Sequence, residues 1–70
     1  MLKSRVVEML KTQAEAERQK ALLSLELLMT VPAGIGDHST GDFYKNAEEA
    51  LQMLVDAEDK LETLNKYFSE

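Results

Sequence analysis

The chain has 70 residues, 44% of them hydrophobic and 30% charged, with a formal net charge of −5 at pH 7 and no cysteine. That size allows one domain spanning residues 1–70, near the lower limit at which a chain buries enough apolar surface to stand alone. Without cysteine and with a single histidine, disulfides and a closed zinc site of nitrogen and sulfur ligands are excluded, which leaves assembly with other chains as the available staple.

The spacing of apolar residues predicts an all-α chain, an antiparallel hairpin of two helices over about 2–30 and 42–68. The first segment, "MLKSRVVEMLK", has neither the apolar core nor the small-residue cleavage site of a secretory signal, and Glu8 speaks against a transit peptide. The longest apolar stretch, "ALLSLELLMTV" from Ala21 to Val31, is interrupted by Glu26 and falls short of the roughly 20 residues a membrane span needs. A cytoplasmic location, away from membranes, is the expectation.

The best stripe of the first helix runs through Val7, Leu10, Ala14, Ala21, Leu25 and Leu28, with Arg18 interrupting it. At a crowded seam Arg18 is expected to lay its methylene stem on apolar surface and send its guanidinium outward, to an acid of the second helix. From Ala21 onward Leu22, Leu23, Leu25, Leu27, Leu28, Met29 and Val31 occupy nearly the whole circumference. A helix apolar all round is buried all round, and a hairpin has one interior side. A twofold dimer forming a four-helix bundle is therefore expected.

Between the helices, "VPAGIGDHSTGDF" holds the only proline, all three glycines and the only histidine. Pro32 stops the first helix by disfavouring helical geometry at Val31, Gly34 and Gly36 let the chain reverse, and Ile35 is expected to plug the end of the apolar cluster. Ser39, Thr40 or Asp42 is positioned to cap the second helix, Ser39 with Asp42 resembling a capping box. Chemistry is also conceivable here. Glycine-rich backbone entering a helix presents N–H groups to an anion, so Gly34, Gly36, Asp37, His38 and Ser39 form a candidate ligand loop for a nucleotide or metabolite, doubled by symmetry in an oligomer. Against it, no P-loop lysine follows, no strand precedes, and Asp37 repels anions. Adjacent Asp37, His38 and Ser39 project in divergent directions and do not make a hydrolytic triad, and a metal on Asp37 and His38 needs further ligands.

The second helix carries an unbroken seam: Phe43, Ala47, Ala50, Leu54, Ala57, Leu61, Leu64 and Phe68, at alternating steps of four and three residues. Its alanines allow a close partner. Leu51 and Val55 make a flanking stripe, and Met53 and Tyr67 lie on a third side. Lys45 with Glu49, Asp56 with Lys60, and Glu62 with Lys66 are spaced for i,i+4 pairs. Asp56, Glu58, Asp59 and Glu62 read as a solvated face, because carboxylate metal sites in bundles need facing acids and a Glu-x-x-His pair, which is lacking. Leu22, Leu25, Leu28, Leu54, Leu61 and Leu64 are the expected core, and Leu23, Leu27, Leu51 and Val55 the expected interface. No catalytic constellation stands out, so a non-enzymatic, self-associating interaction module without cofactor is expected. Residues 42–70 carry eight acidic and three basic side chains, which opposes nucleic acid as a partner and offers an acidic outer face to a basic protein.

"PAGIGDH" and "AEDKLETLNKYF" resemble a small family of helical hairpins from T4-like and other marine bacteriophages. The resemblance rests on Pro32, Gly34, Ile35, Gly36, Asp37 and His38 at the corner and on Ala57, Glu58, Asp59, Lys60 and Leu61 in the second helix. Ser39-Thr40-Gly41 stands where that pattern has a proline or acid. The resemblance implies a viral accessory origin, with a host protein as a conceivable partner and the host cytoplasm as the location, and implies no particular activity.

Overall fold

The computed structural model describes residues 2–30 and 40–68, which form two α-helices, α1 (Leu2–Thr30) and α2 (Thr40–Phe68). Each has 29 residues, about 43 Å at ~1.5 Å per residue, and the molecule is 52 Å long. The helices pack on each other along their length. Leu10, Ala14 and Glu17 share a groove with Lys60, Thr63 and Leu64, while Ser24 and Leu28 share another with Asn46, Ala50 and Met53. Early residues of α1 thus meet late residues of α2, and the hairpin is antiparallel, as the sequence predicts.

The second helix starts two residues before the expected position, at Thr40. This puts Asp42 in its first turn and Lys66 in its last, where both signs complement the helix dipole. α1 has no acid in its first turn and no base in its last. Its C-terminal end is met differently, by the Thr30 hydroxyl donating to the Leu27 carbonyl oxygen at 3.0 Å, which satisfies one of the carbonyls a helix end leaves without an intrahelical partner.

The core differs from the expected leucine core. Among the described residues the buried apolar side chains are Ala14, Ala21, Ala50, Ala57 and Leu64, and no large side chain is completely enclosed. Of the expected leucines only Leu64 is buried; Leu25, Leu28, Leu54 and Leu61 are half-buried and Leu22 is exposed. The reason is geometric. Ala14 and Ala21 are seven residues apart, as are Ala50, Ala57 and Leu64, so at coiled-coil spacing each set forms one straight row facing the other helix. Methyl groups on both rows draw the axes toward the short end of the roughly 8–10 Å range for packed helices. Larger side chains are then pushed to the flanks of the contact. Leu22, one position beyond Ala21, is turned about 100° off the row and falls outside it.

A row of alanines sets the closeness of the helices but contributes little energy. Burying a methylene-sized group is worth about 0.8 kcal/mol, whereas enclosing a leucine side chain is worth about 1.5–3 kcal/mol. The hairpin therefore holds its own shape with small groups and leaves most of its large apolar side chains half or fully exposed.

Candidate interaction surface

Two interhelical ion pairs mark the two long sides of the hairpin. Glu17 and Arg18 are consecutive and flank the Ala14–Ala21 row on opposite sides. Lys60 Nζ donates to Glu17 Oε1 at 3.1 Å on one side, and Arg18 Nε lies 3.6 Å from Glu58 Oε2 on the other. Both flank the buried Ala57, the residue just before Glu58 in the chain. Arg18 Nη1 also donates to Glu15 Oε1 at 2.9 Å, an oxygen that accepts from Gln19 Nε2 at 3.3 Å. The half-buried Arg18 with its outward guanidinium is the arrangement expected from the sequence. These exposed pairs contribute about 0.2–1 kcal/mol each, so their main value is to fix which residues share a side.

Lys60 bonds across to α1 and not, as its spacing suggested, to Asp56, whose Oδ1 accepts from Gln52 Nε2 at 3.0 Å. An i,i+4 pair gains little over solvation, and the close alanine contact brings Glu17 within reach.

Coiled-coil spacing places the remaining residues relative to these markers. The Glu17–Lys60 side, which also holds the groove of about 380 Å³ beside Leu10 and Thr63, is mixed along its whole length. Gln13, Lys20, Ser24, Asn46, Glu49 and Asp56 alternate there with Leu10, Leu27 and Met53. The Arg18–Glu58 side is segregated. Toward the corner it carries Leu22, Leu25, Met29, Tyr44, Leu51 and Leu54, with Ala47 and no charge; toward the open end it carries Glu8, Lys11, Glu15, Arg18 and Glu58 with Leu61 and Phe68. Leu22, Met29, Tyr44, Leu51 and Phe68 are all exposed, Met29 by 79%.

All four residues expected at the interface are exposed: Leu23 by 56%, Leu27 by 57%, Leu51 by 54% and Val55 by 43%. The hairpin does not gather them on one face. Leu51 lies on the segregated side with Val55 just beyond it on the outside of α2, whereas Leu27 belongs to the mixed side and Leu23 to the back of α1. The residues that accompany Leu51 are Leu22, Met29 and Tyr44, and their signal was legible: each sits one position after a member of the seam row.

The candidate ligand loop, Gly34, Gly36, Asp37, His38 and Ser39, lies outside the described residues, as do Pro32, the Ile35 plug and Ser39 of the capping box. Among the described residues no group of three His, Cys, Asp or Glu side chains is placed to hold a metal ion, and no helix is long and apolar enough to cross a membrane. The acids Asp56, Glu58, Asp59 and Glu62 are dispersed: Glu58 faces Arg18, Asp56 accepts from Gln52, and Asp59 borders the groove on the opposite side from Glu58. In "AEDKL", Ala57 is buried, Glu58 and Lys60 make the interhelical pairs, and Leu61 is half-buried. These are roles that closing a hairpin calls for in its own right. No family model, no curated protein and no solved structure matches the chain.

Proposed function

We propose that the protein is a self-associating helical hairpin, two copies pairing through their Arg18–Glu58 sides into a four-helix bundle, and that it acts by presenting that assembly to another protein and not by chemistry of its own. The observation that carries this reading is the mismatch between core and surface. Among the described residues four alanines and one leucine are buried, while Leu22, Leu51, Met29 and Tyr44 stand exposed on one side toward the corner. Monomers rarely carry a contiguous apolar patch of that kind, and a second copy offers an identical patch to cover it.

The acidic outside of α2, with Glu48, Glu62 and Asp59, stays free in such a bundle and suits a basic partner, in keeping with the modulator of a host protein that the phage resemblance suggests.

Sedimentation equilibrium at micromolar concentration tests the pairing. A mass of twice 7.9 kDa is expected; a folded, helical chain that stays at the single-copy mass when concentrated contradicts it.

A further inference from the structure

The segregated side also decides how the two copies are oriented. We infer that they lie with their corners at the same end, each α1 facing the second copy's α2. This rests on the dimer reading above and goes beyond it, since either relative direction gives a four-helix bundle.

Charge separates the alternatives. Between the corner and about the level of Arg18, the docking side carries Leu22, Leu25, Met29, Tyr44, Leu51 and Leu54 and no ionised group; beyond that level Lys11, Glu15, Arg18 and Glu58 begin. If the copies ran in opposite directions with full overlap, the uncharged half of each would cover the charged half of the other. Ionised groups would then lose water against hydrocarbon with no opposite charge to replace it. With the corners together, hydrocarbon meets hydrocarbon. At the other end Glu8, Lys11, Glu15 and Arg18 of one copy lie opposite the second copy's α2, which carries Glu58, so the ionised groups stay clear of the hydrocarbon half and the two bases lie among the three acids.

Area excludes the remaining arrangement, in which opposed copies overlap only through their uncharged halves. That overlap is about 15 Å of helix across a pair roughly 20 Å wide, on the order of 300 Å² per copy. A stable dimer needs nearer to about 800 Å² per copy, and only overlap along most of the length approaches it.

The test is a distance between identical labels. With no native cysteine, Arg5→Cys places a single nitroxide at the open end, on an exposed position at the back of α1. Lys66→Cys, on an exposed position near the open end of α2, is a second site should the first perturb folding. Full-length labelled protein is examined by pulsed electron spin resonance after its mass is measured by sedimentation. With corners together the Arg5→Cys labels are roughly 20–30 Å apart, whereas opposed copies with full overlap separate them by about 35 Å or more, given ~1.5 Å of rise per residue. A dimeric mass with the short distance supports the orientation. A dimeric mass with the long distance overturns the orientation and leaves the dimer standing, and a single-copy mass overturns both.

Discussion

The two long sides of the hairpin are made by the same two helices and differ in one respect. On the Glu17–Lys60 side, charged and apolar residues are interleaved from end to end; on the Arg18–Glu58 side they are sorted, apolar toward the corner and charged toward the open end. Interleaving keeps each exposed leucine among hydrated neighbours. Sorting produces a continuous apolar area that only another molecule can remove from water. The hairpin itself is closed by the alanine rows, which lie between the two sides and belong to neither. In the proposed dimer, helix pairing and partner binding thus use different residues.

Substitutions that treat the two sides alike are the sharpest way to break this comparison. Leu51→Lys and Leu27→Lys replace equally exposed leucines on opposite sides. Because twofold pairing counts each change twice and burying a leucine is worth about 1.5–3 kcal/mol, Leu51→Lys is expected to weaken self-association by about 100-fold or more. Leu27→Lys is expected to leave the mass unchanged. Equal effects of the two changes, read by sedimentation, would show that the sides do not differ in the way described.

The next effect concerns the seam. Ala57 is completely buried, one residue before Glu58 and three before Lys60, so Ala57→Leu forces the helices apart, at about 1–3 kcal/mol. For a chain of this size that corresponds to a fall of about 10 °C in melting temperature. Ala16→Leu, at an exposed position of α1, is the control and should change little. Circular dichroism at the helical band reads both.

Smaller effects sharpen the picture at the ion pairs. Arg18 packs its stem at the seam and has 34% of its side chain exposed, whereas Lys60 has 57% exposed. Arg18→Ala is expected to cost up to about 1 kcal/mol, partly through lost packing, and Lys60→Ala less. Chemical denaturation at low and high salt separates the two contributions, since only the ionic part is screened. Smallest of all, Thr30→Val removes the hydroxyl that bonds the Leu27 carbonyl and is expected to cost about 0.5 kcal/mol, visible as a slight fall in the denaturation midpoint.

Much of this was legible in the residues alone. The unbroken seam from Phe43 to Phe68 marked the second helix and its inner face, and Pro32 with the glycines marked the break between the two helices. What the pattern could not convey was which seam residues become the core. Hydrophobicity ranks leucine above alanine, but the distance between two helices is set by their smallest facing residues, so Ala14, Ala21, Ala50 and Ala57 took the interior and Leu22 was left outside. The assignment of residues to the two sides was not legible for a related reason. Leu23 and Leu27 look equivalent to Leu51 along the chain, and only the ion pairs of Glu17 and Arg18 show that they flank the seam differently.

Alanine rows alone stabilise the hairpin poorly, and in the proposed dimer a second copy completes its core, so folding and pairing should be one event. Thermal unfolding of the unmodified protein over a wide range of concentration tests this directly. A melting temperature that climbs with concentration by mass action is the predicted result. A melting temperature that stays constant from micromolar to millimolar concentration, in a particle of single-copy mass, would contradict it.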